Sequence, residues 1–207
     1  MQKNKTKMMT VSRMMLGLST ILSIFPKFSG LWPNGGSITV CCMLPIILVG
    51  YIFGVKQGLL TGLAFGILQI LLGLKGIAGM DLLSTLGVIF FDYIVAFTVL
   101  GFGGVFKGKF KNTGAELAAG SVFAIFLRLV AHFISGYLLF SSYAEWFFTQ
   151  EGFTLGNSIF ASLGNGTRLF MLYSLMYNAS YLLPEMLITG VVAFILGKSG
   201  VIERLER

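Results

Sequence analysis

Charge is what this sequence has least of. Only 11% of its 207 residues are Asp, Glu, Lys or Arg, against about 25% in an ordinary soluble domain. Too few polar side chains exist to clothe a water-facing surface. Histidine occurs once, cysteine twice and proline four times. Cys41 and Cys42 are adjacent within an apolar run and read as two small buried hydrophobes. Neither a CxxC pair nor a His/Cys cluster is present, so no metal site is expected. HExxH, GxSxG and paired-aspartate motifs are also missing, which leaves no recognised catalytic spacing. The string GKS (197–199) is no phosphate loop, because the required first glycine falls at Val192 and the segment closes an apolar run. No enzymatic activity and no cofactor are expected. Any ATP-driven step would belong to another chain.

What is abundant is apolar. Hydrophobic residues make up 56% of the chain, with 20 Phe and 27 Gly, and the mean hydropathy is +0.86. The natural solvent is lipid, where glycine lets helices approach closely. The net charge of +7 does not signal nucleic acid, since the basic residues lie between apolar runs rather than on one face. A hydrocarbon core of about 30 Å needs roughly 20 apolar residues per helix. Spans are predicted at 11–30, 38–55, 57–75, 81–105, 115–141 and 170–197. The reading is an all-α integral membrane protein, one bundle of six transmembrane helices occupying 1–207. The charged start MQKNKTK is taken as part of a retained first helix, not a cleaved signal. PNGGS (33–37) reads as a turn, and Lys56 alone separates the second and third spans. The longer segment 142–168 carries Trp146, Phe147, Phe148 and Phe153, and is expected to lie at the membrane interface.

Basic residues orient the chain. Lys3, Lys5, Lys7 and Arg13 open it, Lys56 fills the second connection, and Lys107, Lys109 and Lys111 fill the fourth. Lys198, Arg204 and Arg207 follow the last span. The odd connections are not basic, so both termini are expected in the cytoplasm, in a cell membrane of bacterial type. Gly58, Gly62 and Gly66 form a four-residue strip, suited to packing within the bundle or to docking another subunit. No inverted repeat stands out, and no span looks broken at its middle.

Ionisable groups at membrane depth are costly and therefore functional candidates. Asp92, Arg128, His132 and Glu185 qualify. Tyr93 stands beside Asp92. His132, Gly136 and Phe140 share a helix face, where the glycine would leave a slot between imidazole and ring. Tyr173, Asn178, Tyr181 and Glu185 line the last span, and Trp32 closes the outer end. An acid, an imidazole, an amide and several rings together suit a small, flat, cationic ligand. Structural alternatives are open: His132 as a helix-to-helix hydrogen bond, and Glu185 paired with Arg128.

These residues, with the strings GGSITVCCMLPI (35–46), GVKQGLLTGLAFGILQ (54–69), DYIVAF (92–97), RLVAHFISG (128–136) and YSLMYNASYLLPE (173–185), resemble the thiamine-specific S components (ThiT type) of energy-coupling factor (ECF) transporters. The resemblance implies a six-helix subunit that binds thiamine near the outer surface. It would work with a transmembrane coupling subunit and two ABC-type ATPases. Asp92 would face the thiazolium, and His132 would pack on the ligand rings. Tyr173 and Asn178 would hydrogen-bond the aminopyrimidine, Tyr93 would support the pocket, and Trp32 would act as a lid. Phe140 stands where that family stacks a tryptophan. The rival readings are an S component for another vitamin (riboflavin, biotin or a pyridoxal relative), a stand-alone ion-coupled carrier and, last, an intramembrane enzyme.

Overall fold

The computed structural model describes residues 2–25, 27–28, 32, 36–73, 76 and 78–206. Its order is α1 (Gln2–Ile24), β1 (Lys27–Phe28), β2 (Ile38–Thr39), α2 (Leu44–Phe53), α3 (Val55–Gly73), α4 (Leu82–Val88), α5 (Ala96–Thr98), α6 (Thr113–Leu139), α7 (Ala144–Phe148), α8 (Thr154–Leu163), α9 (Thr167–Lys198) and α10 (Val201–Glu206). Strands β1 and β2 form one short antiparallel ladder, Lys27 opposite Thr39 and Phe28 opposite Ile38. The architecture is an all-α membrane fold.

Four helices among the described residues are long and apolar enough to cross a bilayer: Val55–Gly73, Leu82–Gly104, Thr113–Leu139 and Thr167–Lys198. The other two expected spans take different forms. α1 is 23 residues long and begins at Gln2, so Lys5 and Lys7 fall inside it rather than before it. The expected span 38–55 contains a helix of only 10 residues, about 15 Å of rise. Every residue from Leu44 to Tyr51 is buried. Its continuous apolarity is therefore that of a core helix, a pattern periodicity alone does not separate from a span. The PNGGS turn falls mostly outside the described residues.

The Leu82–Gly104 rod corrects the expectation of an unbroken span. Asp81 caps it, its Oδ1 accepting from the N–H groups of Leu83 at 3.0 Å and Ser84 at 3.1 Å. The Ser84 hydroxyl first, and then the Ser84 and Leu83 N–H groups, hold the Asp81 carboxyl below the usual carboxylate range. At mid-rod, residues Ile89–Val95 wind as a π-helix and Val99–Gly104 as a 3-10 helix. Neither proline nor glycine marks the π turn in the sequence, so tertiary packing sets it. Such turns are frequent at functional sites, and Asp92 lies at the centre of this one.

The glycine strip on α3 packs internally against that rod. A methyl on Gly58 would stand 2.6 Å from the Gly101 carbonyl oxygen. One on Gly62 would stand 2.5 Å from that of Phe97, and one on Gly66 2.7 Å from that of Tyr93. α3 therefore fixes the rod's position up to the π turn. The segment 142–168 forms α7 and α8 over the bundle's end. Phe148 is fully buried and Phe147 packs on Tyr173 and Tyr177, at 5.4 and 6.1 Å between ring centres. Trp146 alone of that aromatic run turns outward. The segment thus packs as an aromatic cap on α9.

Candidate functional site

A cavity of about 820 Å³ opens at the end of the bundle opposite Lys56 and Lys107. The π turn, the C-terminal half of α6 and the N-terminal half of α9 supply its polar wall. Six of the seven residues expected at the site line it: Asp92, Tyr93, His132, Phe140, Tyr173 and Asn178. Trp32 is not among the lining residues. It reaches the cavity through Tyr181, meeting that ring edge-on at 5.8 Å, while its Nε1 donates to Ser180 Oγ at 2.7 Å.

Asp92 is the centre of the polar wall. Its Oδ1 lies 2.7 Å from His132 Nδ1, and Ser135 Oγ donates to Oδ2 at 2.6 Å. On its other side His132 Nε2 accepts from Arg128 Nε at 3.2 Å. An imidazole that accepts at Nε2 carries its proton on Nδ1, so these partners assign a neutral ring donating to Asp92. Spacing explains the geometry: Arg128, His132 and Ser135 follow at four and three residues along one face of α6. Ser135 was missed by the sequence reading, although its helical spacing from His132 places it there.

Arg128 is enclosed by its surroundings. Its Nη1 lies 2.8 Å from Met43 Sδ and 3.7 Å from Glu185 Oε2, with the guanidinium 4.5 Å from the Phe97 ring centre. Glu185, only 1% exposed, also accepts at Oε1 from the Thr39 N–H at 2.6 Å and from the Thr39 hydroxyl. The pairing of Glu185 with Arg128, held open in the sequence, is present. Thr39 was not foreseen, because nothing local links it to a residue 146 positions away.

Asn178 ties α9 to α6. Its Nδ2 donates to the carbonyls of His132 at 3.1 Å and Ser174 at 2.9 Å, and its Oδ1 accepts from Tyr181 at 2.6 Å. Gly136 borders the cavity, but the space of its missing side chain is not the slot expected. A methyl there would meet Ser174 Oγ at 2.3 Å, so the glycine serves close approach of α6 and α9. Tyr173, Tyr177 and Tyr181 follow at steps of four on α9, their rings 5.6 and 6.4 Å apart. Phe140 ends α6 with its ring 6.3 Å from Tyr143. The site thus pairs a hydrogen-bonded carboxylate with an aromatic wall.

Known proteins resemble this chain along most of its length. Residues 9–148 match the family model described as thiamine transporter protein (Thia_YuaJ). The chain is 33% identical over 192 residues to the thiamine transporter ThiT of Bacillus subtilis (strain 168), covering 88% of this chain and 85% of that protein. The fold is that of a solved structure of ThiT from Listeria monocytogenes, with a TM-score of 0.68 over 98% of both chains at 20% identity. The chain therefore belongs to the thiamine transporter protein (Thia_YuaJ) family.

Proposed function

We propose that this chain is the substrate-binding S component of an ECF-type vitamin uptake transporter in the cell membrane, and that its cavity captures thiamine from the outside. The observation that carries the reading is the cavity's charge balance. Arg128 and Glu185 offset each other, and neutral His132 donates to Asp92. The Asp92 charge is left without a counter-ion. A carboxylate at membrane depth is costly in that condition, so a monocation is favoured and an anionic vitamin is repelled. Family membership and the ThiT relative support thiamine as that cation.

In this reading Asp92 faces the thiazolium, and Tyr93, His132 and Phe140 border the rings. Tyr173 and Asn178 hold the aminopyrimidine. Both Asn178 amide protons are committed to carbonyls, so it is the second lone pair of Oδ1, beside the one that accepts from Tyr181, that takes the ligand's amine. Trp32 closes the outer end through Tyr181. Residues 1–207 act as one membrane domain without a cofactor or catalytic step. Energy comes from a transmembrane coupling subunit and two ABC-type ATPases.

Calorimetry on the detergent-purified chain tests the reading. Thiamine is expected to bind saturably, and riboflavin, biotin and pyridoxal are not. Asp92→Asn is expected to weaken thiamine about 100-fold, about 2.8 kcal/mol. Unchanged affinity in that variant would remove the charge argument. One feature favours a second reading, an ion-coupled carrier: the π turn breaks a span at an Asp–His pair. Thiamine uptake into proteoliposomes holding only this chain, driven by a proton gradient, would establish it instead.

A further inference from the structure

Trp32 and residues 36–42 form a strap against α9, and Gly36, Ser37, Thr39 and Cys42 line the cavity. This strap touches α9 at three points spaced along one helical face. Trp32 bonds Ser180 and packs on Tyr181. Gly36, at φ +110°, lies so close to the Tyr181 ring that a methyl there would stand 2.8 Å from it. Thr39 bonds Glu185 through both its backbone N–H and its hydroxyl. The first attachment is at the surface, where water competes. The third is buried and charge-assisted, which makes it the strongest of the three.

The same carboxylate faces the other way as well. Glu185 Oε2 reaches Arg128, Arg128 donates to His132, and His132 donates to Asp92. A continuous chain of polar contacts thus runs from the strap to the carboxylate assigned to the ligand's charge. α9 runs unbroken past these attachments but lacks one backbone hydrogen bond beside them. Pro184 lies inside it and offers no N–H to the carbonyl four residues earlier, that of Ser180, the residue that holds Trp32.

Resting on the thiamine reading above, we propose that Glu185 is a positioning residue for ligand retention. Its carboxylate pins the strap at Thr39 and sets Arg128 and His132 behind Asp92, so that strap closure and presentation of the anionic site are one event. Glu185 need not touch the ligand to do this. Its effect is on how long thiamine stays, since an opened strap offers an exit while the aromatic wall and Asp92 still admit the ligand.

The test is stopped-flow binding to the full chain in a Trp146→Phe background, so that Trp32 alone reports. In Glu185→Gln the thiamine dissociation rate is expected to rise at least tenfold, with association changed less than threefold. Thr39→Val, which keeps the buried ion pair and the backbone N–H, is expected to raise dissociation about threefold to fivefold. The double variant is expected to be no faster than Glu185→Gln alone. Acrylamide quenching of Trp32 without ligand is expected to increase in Glu185→Gln. Dissociation rates equal to that of the Trp146→Phe background, or multiplicative effects of the two substitutions, would overturn the proposal. If Glu185→Gln does not fold, an unchanged dissociation rate in Thr39→Val overturns it by itself. The ligand-free quenching separates the two levels of the argument. Absence of thiamine binding by the unsubstituted chain defeats the ligand reading, whereas equal Trp32 quenching in Glu185→Gln and its background defeats the strap.

Discussion

At the end of the bundle that carries Lys56 and Lys107, helices meet backbone to backbone, whereas at the other end they stand apart around a cavity of about 820 Å³. The closed end is built from glycine. Gly50, Gly58, Gly101, Gly103, Gly104 and Gly120 all place main chain against main chain, and a methyl on Gly101 would lie 2.1 Å from the Leu59 nitrogen. The open end is built from phenols, rings and a chain of hydrogen-bonded polar groups. Close glycine contacts leave few alternative packings. They hold the Leu82–Gly104 rod still up to its π turn. In the proposed reading the two ends divide the labour: the closed end fixes where Asp92 stands, and the open end retains the ligand that Asp92 attracts.

Placing a side chain in the closed end is the severest way to break this division. Gly101→Val is expected to cost more than about 3 kcal/mol, because rigid backbone on α3 blocks the new atoms. Size-exclusion profiles and circular dichroism should show loss of folded, monodisperse protein; a normal profile and melting curve would contradict the packing account. Changes at the open end should behave differently, affecting ligand more than fold. Phe140→Ala is expected to weaken thiamine about tenfold, in line with the ~0.5–1.5 kcal/mol of an aromatic contact. Phe140→Trp is expected to strengthen it severalfold, because tryptophan is the better partner for a cation. Calorimetry on both variants checks the pair, and equal affinities would place Phe140 outside the ligand's reach.

A smaller effect of the opposite kind is expected from Glu116. Near the closed end its Oε2 accepts from Tyr51 at 2.6 Å and its Oε1 from the Gly108 N–H at 2.8 Å, which fastens the basic connection to α6. Glu116→Gln should lower stability by about 1–2 kcal/mol and leave thiamine affinity alone. Thermal melts and calorimetry together decide it; weakened binding would mean the two ends are not separable. The least change is expected from Trp32→Phe, less than about threefold in affinity, since its bond to Ser180 is solvent-exposed.

Much of this was legible in the sequence, and the reasons differ by region. Long apolar runs named the four bilayer-length helices because lipid imposes length and hydropathy together. Rarity did the same for Asp92, Arg128, His132 and Glu185, since ionisable groups persist at membrane depth only for a reason. The glycine strip of α3 was visible but its partner was not, because close approach is a property of two helices. α2 showed the limit of hydropathy, which does not distinguish lipid from core as the apolar surroundings. The π turn at Asp92 has no proline or glycine to announce it. Thr39 and its bond to Glu185 join elements distant in the chain, and no periodicity encodes such a contact.

Selection of a cation by Asp92 is the central proposal, and one titration addresses it directly. Calorimetry compares thiamine with a neutral isostere in which carbon replaces the charged thiazolium nitrogen, in the unsubstituted chain and in Asp92→Asn. The unsubstituted chain is predicted to prefer thiamine at least 100-fold, and Asp92→Asn to bind the two within about threefold of each other. Equal binding of both ligands by the unsubstituted chain, or a preference that survives in Asp92→Asn, would contradict the claim that this carboxylate selects a cation.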